Sequence, residues 1–395
     1  MKHKNLWAIS LLIALLFSLA GCSSSDKNDG GLEQDPQKRC AVSDALTYRD
    51  SMDLRYAEEF AVDYFNEGGC LITVSDDRRY LVDRGDVPEA ALKDLPEDVT
   101  VLKAPIADVY LAASASMDYF DSCGAIDSIR FSSLKASAWD IEDAGLSMED
   151  GSILYAGKYS TPDYELLKSE GCKLAVENTM IYHTPEIIKT IESLGIPVFI
   201  DLASREGTPQ GRMEWIKVYG LLTGKEKAAQ KAFRAQKKEF LALEDAEAEA
   251  SDDASPTVAY FSLRANETVS VRRANDYITS MIELAGGTYV FADLGRDDDS
   301  ARATQVISME EFYTTAKTAD ILIYNSTIGG EQTSLKKLLA DAPVLKDCKA
   351  VKNGNVWCTT ADLYQHSMGQ GTFVRDLHNV FAGNDENLTY LFKLE

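Results

Sequence analysis

Residues 224–250 read GKEKAAQKAFRAQKKEFLALEDAEAEA, and after Gly224 the stretch holds neither glycine nor proline. Ala229, Phe233, Phe240 and Leu243 recur at helical spacing, giving one narrow apolar stripe on a charged, alanine-rich surface. At 1.5 Å per residue such a helix is roughly 40 Å long, enough to cross a whole domain. Ser251 to Pro256 then breaks the pattern. What lies on either side of this stretch decides the fold.

Upstream, short apolar runs alternate with amphipathic stretches. Val109–Ala112, Lys173–Val176 and Pro197–Ile200 are continuous apolar runs, as expected of strands buried on both faces. Pro185 to Leu194 reads as a helix stopped by Gly195. Leu71–Val74 and Tyr80–Val82 read as a hairpin around Asp76-Asp77. Downstream the alternation resumes. Val258–Leu263, Ile321–Tyr324 and Val356–Cys358 read as strands, and Asn275–Ala285, Leu335–Ala340 and Gly369–Phe381 as helices. The expected fold is α/β, with two Rossmann-like lobes (51–223 and 251–395) built on parallel sheets and joined by a single long helix (224–250). In such sheets ligands bind beyond the carboxyl ends of the strands. The loops there are Ser114–Asp118, Asn178–Thr184 and Ser204–Arg212 in the first lobe, with Gly157–Tyr164 reaching the same rim. In the second lobe they are Arg264–Arg273, Asn325–Gln332 and Thr360–Met368.

The N-terminus carries Lys2 and Lys4, an apolar run from Leu6 to Ala20, and then Gly21-Cys22. That order is a secretory signal over residues 1–21, too short to span a bilayer. Leu19-Ala20-Gly21-Cys22 matches the bacterial lipobox, which makes Cys22 the lipidated residue. Residues 22–50 are then anchor and polar tether. The expected location is extracytoplasmic, at a membrane surface. A net charge of −23 argues against nucleic acid and anionic lipid heads as partners. The other cysteines fit no zinc spacing. Cys348 and Cys358, flanking a turn-like Lys352-Asn353-Gly354-Asn355, are the one pair expected to form a disulfide.

Several segments in order resemble the periplasmic-binding-protein lipoproteins of ABC importers for iron–siderophore, haem and cobalamin. They are Tyr155–Ser160 running into Pro162–Glu165, Glu177–Glu186, Leu194–Val198, Arg212–Lys217 and Gly224–Glu226. Ala285–Gly287, Ser308–Glu311, Ala319–Ile321 and Val351–Val356 follow in the second lobe. The resemblance implies a monomeric protein of two rigid lobes with a helical hinge, delivering its ligand to a permease and its ATPase. It further implies docking through one glutamate per lobe: Glu165, and Glu310 with Glu311 as the alternative.

The cleft loops hold the candidate ligand-binding residues. Arg205 and Arg212 in one lobe and Arg264, Arg272 and Arg273 in the other suit anionic oxygen arrays through paired donors. Asp276 and Glu206 are the ordinary salt-bridge partners that would instead occupy them. His183 and His366 fall in loops of opposite lobes. With Met180, Tyr182 and Tyr364 nearby, they are candidate ligands for haem iron, cobalt or a bare metal. Met117, Tyr159 and Asn325 complete the expected walls. The leading ligand is a ferric siderophore, ahead of haem, cobalamin and uncomplexed metal. No G-x-S-x-G or H-E-x-x-H motif marks an enzyme, and no catalytic residue or resident cofactor is assigned. A chelatase-like pairing of Glu177 with His183 is the enzymatic alternative.

Overall fold

The computed structural model describes residues 32–249, 255–296 and 304–395. The leader, Cys22, the first part of the tether and residues 250–254 lie outside the described residues, as does the side chain of Leu243.

Strands β1 (Tyr48–Ser51), β2 (Phe60–Phe65), β3 (Cys70–Val74), β4 (Arg79–Asp83) and β5 (Val99–Lys103) form one sheet in sequence order. All its pairings are antiparallel except β4 with β5. The expected hairpin is β3–β4, with Asp77 in the left-handed region at its turn. Alternation along the strands sends Phe60, Val62, Ile72, Val74, Tyr80 and Val82 into the main core. Phe65, Leu71 and Leu81 face the other way, against Cys40, Val42 and Val87.

The second sheet has β6 (Val109–Leu111), β7 (Ile129–Ser132), β8 (Leu154–Tyr155), β11 (Leu174–Asn178) and β12 (Val198–Asp201) in the order β12-β11-β6-β7-β8, all parallel. Between β8 and β11 lies a short hairpin of β9 (Gly157–Lys158) and β10 (Thr161–Pro162). The helix Pro185–Ser193 starts on its proline and buries Ile187, Ile188 and Ile191.

The charged stretch is helical over Glu226–Glu249. Its stripe residues Ala229, Phe233 and Phe240 are buried. It packs on the helices Met117–Cys123 and Ile216–Thr223 of the first lobe and Gln370–Phe381 of the second. Gly220 permits the closest crossing, because a Cβ there would stand 2.5 Å from the Ala229 Cβ. Helices of both lobes pack on it, and between residues 226 and 242 all but Ala229, Phe233 and Phe240 stay exposed or half-buried, as one narrow stripe implies.

The second-lobe sheet runs β16 (Thr304–Ser308), β14 (Thr268–Arg272), β13 (Thr257–Arg264), β17 (Ile321–Tyr324), β18 (Val356–Thr359) and β19 (Leu391–Lys393), with β15 (Thr288–Tyr289) also on β13. Strands β13, β15, β17 and β18 are parallel, whereas β14, β16 and β19 pair antiparallel. The expected parallel sheet is present at β13, β15, β17 and β18, and antiparallel strands extend it on both sides, β14 through a tight turn. Asn266 and Glu267 both take positive φ, 60° and 54°, and return the chain directly beside β13. The expected disulfide is corrected. Cys348 and Cys358 are both free and buried. Cys348 precedes the helix Lys349–Lys352 and Cys358 lies within β18, so the turn between them ends a helix and does not join paired strands.

Candidate functional site

The carboxyl ends of the first-lobe strands meet the second lobe along a strap at residues 365–368. The Gln365 side chain accepts from the Asp140 backbone N–H at 3.0 Å and donates to the Ala138 carbonyl at 2.8 Å and to Asp140 Oδ2 at 2.9 Å. Ser367 Oγ donates to the Ala115 carbonyl at 2.8 Å, and the Met368 N–H donates to Asp118 Oδ2 at 2.6 Å. Two of the expected cleft loops, 114–118 and 360–368, are thus brought together by direct hydrogen bonds. Met117, expected on the cleft wall, has no exposed surface and belongs to the core. Its place in the helix Met117–Cys123 turns it inward beneath this contact.

The second junction is made by the loop after β12. Pro209–Glu214 is helical, with Thr208 capping the Gly211 N–H. Gly211 has no room for a side chain, since a Cβ would lie 2.8 Å from Glu206 Oε2 and 3.0 Å from the Tyr56 carbonyl. Tyr119 Oη donates to the Arg212 carbonyl at 2.7 Å. So held, the Arg212 guanidinium lies 4.0 Å from the ring centroid of Tyr277 in the second lobe. Arg212 is 9% exposed, its Nε has no hydrogen-bond partner, and it makes no ion pair among the described residues. Arg205 likewise makes no ion pair there; its guanidinium lies 5.6 Å from the Tyr182 ring centroid and its Nε is unpartnered. Glu206 does not neutralise either. It accepts from the Glu58 and Glu59 N–H groups and from Trp215 Nε1 at 2.9 Å.

The second-lobe arginines divide differently. Arg272 pairs with Asp276 at 3.5 Å and lies over the Tyr260 ring, the ordinary salt-bridge arrangement. Arg273 is buried beside Gly295. Arg264 is exposed and lines a second-lobe cavity of about 530 Å³. Asn325 is buried, and its Oδ1 is used by Thr327, accepting from the backbone N–H at 3.1 Å and from Oγ1 at 2.6 Å. Tyr159 is half-buried against the core, and Tyr182 hydrogen-bonds Asp76. Met180, His183 and Tyr364 are exposed. His366 sits on the strap, 3.6 Å from Asp362. Among the described residues no three His, Cys, Asp or Glu side chains are gathered to hold a metal ion. Sequence reasoning missed Gln365, and it missed exposed Tyr155, whose ring lies 5.7 Å from Lys135 Nζ at the end of β8. Only Tyr155 left a signal, as the aromatic residue closing a strand next to Gly157.

Residues 174–363 match the family model described as periplasmic binding protein. The periplasmic haem-binding protein HutB of Vibrio cholerae superposes with a TM-score of 0.54 at 18% identity, over 69% of this chain and 99% of its own. The siderophore-binding protein FhuD of the same species, bound to Fe3+–Desferal, gives 0.52 at 15% identity, over 70% and 99%. The fold is that of a periplasmic binding protein. In sequence, the chain is also similar to the uncharacterized lipoprotein MJ0878 of Methanocaldococcus jannaschii, at 24% identity over 92% of this chain and 89% of that one.

Within this binding-protein fold one buried group behaves unlike a surface carboxylate. Glu177, on β11, is 1% exposed, and its Oε1 has no hydrogen-bond partner. Burial pushes its carboxyl up to about 8. His183 is exposed and shares no hydrogen bond with it, so the two are not assembled as an acid–base pair. Above the ordinary glutamate range the unfolded chain has lost this proton while the folded protein retains it. Stability therefore falls as pH rises from about 4.5 to about 8. Glu177→Gln removes this contribution. The variant should match the parent at pH 5 and exceed it by a few kcal/mol at pH 9 in urea unfolding.

Proposed function

We propose that the chain captures an anionic metal complex between its two lobes and hands it to an ABC permease, with a ferric siderophore as the leading ligand. The observation that supports this reading most is the pair Arg205 and Arg212. Both follow β12, and neither guanidinium makes an ion pair or hydrogen bond with a carboxylate among the described residues, although Arg212 lies within electrostatic reach of the buried Asp201 and Asp276. A half-buried cation without a partner is costly in an empty protein and favourable once an anion arrives. The chain's strong net negative charge gives such a ligand no general attraction, so recognition falls to these local guanidinium groups.

Haem is the second reading, favoured by exposed Met180, His183 and Tyr364, which offer apolar and ligating side chains outside the core. We read the protein as a binding protein and not a chelatase, because Glu177 and His183 are not joined. Lipid on Cys22 would tether it at the membrane, a role consistent with the lipoprotein name of the relative MJ0878.

Delivery would use Glu165 and Glu310. Both are exposed in the first turns of helices, Tyr164–Ser169 and Met309–Ala316, capped by Asp163 and Ser308. Glu311 shares that exposed turn. Glu165→Ala should leave ligand affinity unchanged and reduce uptake at least about tenfold, the loss expected for one charge-assisted contact. Equal uptake by the variant, measured in cells with the cognate permease, would remove Glu165 from the docking surface.

A further inference from the structure

The helices Pro209–Glu214 of the first lobe and Tyr277–Leu284 of the second pack against each other across the junction. Their leading ends come close, since a Cβ on Gly207 would lie 3.6 Å from the Asn275 carbonyl. Asp276 caps the second helix by accepting from the Ile278 N–H at 2.9 Å, which sets Tyr277 at its first position.

Tyr277 is half-buried, and two guanidinium groups share its ring. That of Arg212, from the other lobe, lies 4.0 Å from the ring centroid, and that of Arg272 lies 5.8 Å from it. The two differ in what else they hold. Arg272 is paired with Asp276, whereas the Arg212 side chain makes no hydrogen bond or ion pair among the described residues. Only its Nε is sealed from solvent without a partner; Nη1 and Nη2 keep accessible surface. The short separation is that of a guanidinium stacked on an aromatic ring, an arrangement that occupies the face of the cation and leaves its in-plane N–H donors free.

We propose that Tyr277 is a positioning residue of the ligand site: its ring fixes the plane of the Arg212 guanidinium across the junction and so presents both Nη groups to one oxyanion of the ligand. The inference rests on the reading of Arg212 as an anion-binding residue. Stacking and paired hydrogen bonding use different parts of the same cation, so the ring does not compete with the ligand. It removes rotamer freedom that the arginine would otherwise lose on binding. Because the ring and the cation come from different lobes, affinity for the anion depends on the two lobes staying in register.

The test is calorimetric titration of the full chain, in detergent, with ferric enterobactin, ferric citrate and haemin, all anionic. For the probe that the parent binds most tightly, Tyr277→Leu should weaken binding about tenfold, the order of one desolvated cation–π contact. Tyr277→Phe keeps the ring and should bind within about twofold of the parent. In an Arg212→Ala background Tyr277→Leu should have no further effect, because a ring that acts only through the guanidinium has nothing left to position. An equal loss from Tyr277→Leu in both backgrounds, or no loss in either, would overturn the proposal. Loss of binding in Tyr277→Phe, which stays informative if Tyr277→Leu fails to fold, would overturn it by making the hydroxyl the contact. Binding that Arg212→Ala leaves untouched, or a parent that binds none of the three probes, would remove the anion-binding reading itself and the positioning role with it.

Discussion

Arg212→Ala should weaken binding of an anionic metal complex about 10–100-fold, the range for losing a desolvated, charge-assisted pair of hydrogen bonds. The same change should leave the ligand-free protein as stable as the parent, or more stable. Arg212 is buried against Tyr277 with no ion pair among the described residues, so removing it relieves a desolvation cost that offsets its loss as a more distant counter-charge to the buried Asp201 and Asp276. A merely structural arginine behaves in the opposite way, losing stability and leaving affinity alone. Affinity from titration and the urea midpoint of the empty protein, measured on one preparation, separate the two roles. Arg205→Ala should show a smaller loss, because its more exposed guanidinium is better solvated.

The largest stability effect is expected at Glu214, which has nothing to do with a ligand. Its carboxylate has no exposed surface and accepts from the N–H groups of Arg55 at 3.0 Å, Tyr56 at 2.8 Å and Ala57 at 2.9 Å. Lys217 Nζ adds a contact at 2.6 Å. These bonds tie the segment entering β2 to the helix Pro209–Glu214, and so fix the helix that carries Arg212. Glu214→Ala leaves three backbone donors without an acceptor and takes the carboxylate from Lys217, whose Nζ keeps only the Asp53 carbonyl, and should cost about 3–5 kcal/mol, read as a lowered urea midpoint. Glu214→Gln should recover only part of it, since its amide offers N–H groups where N–H groups already converge. Binding should fall in both variants in proportion to lost structure.

The strands of the parallel sheet were legible because both faces are covered, which writes them as unbroken apolar runs. Val109–Leu111, Leu174–Asn178 and Val198–Asp201 all lie where such runs stand. The linker helix was legible from its glycine-free length and its single stripe. The antiparallel strands beside these elements were not. Thr268–Arg272 buries only its three central residues, too short an apolar run to stand out, and the turn before it uses Asn266 and Glu267 where a glycine signal would normally stand. Among the candidate site residues, position along the sheet edge was readable but burial was not. Met117 and Asn325 follow β6 and β17 in the chain, yet packing turns one into the core at the start of a helix and assigns the other's oxygen to a cap. Nor does residue type separate the arginines. Arg272 and Arg212 read alike in sequence, and only the fold gives one an ion pair with Asp276 and the other none among the described residues.

Gln365 shows a further limit. A neutral amide in a loop carries no chemical signal, yet this one bridges the lobes through three hydrogen bonds to residues 138 and 140. Its partners are more than 200 positions away, so no local pattern records the pairing. The strap it forms with Ser367 and Met368 makes the two lobes a single hydrogen-bonded unit at that edge.

The most direct test of the account is intrinsic tryptophan fluorescence of the chain titrated with a ferric siderophore, haemin and cobalamin. Trp139 and Trp215 are suited to report it, since Trp139 lies beside the Gln365 contact and Trp215 is joined to Glu206 near Arg212. Saturable quenching by the ferric siderophore, stoichiometric and reduced by Arg212→Ala, is the predicted result. Saturation by none of the three, or binding that Arg205→Ala and Arg212→Ala leave untouched, would contradict capture of an anionic metal complex between the lobes.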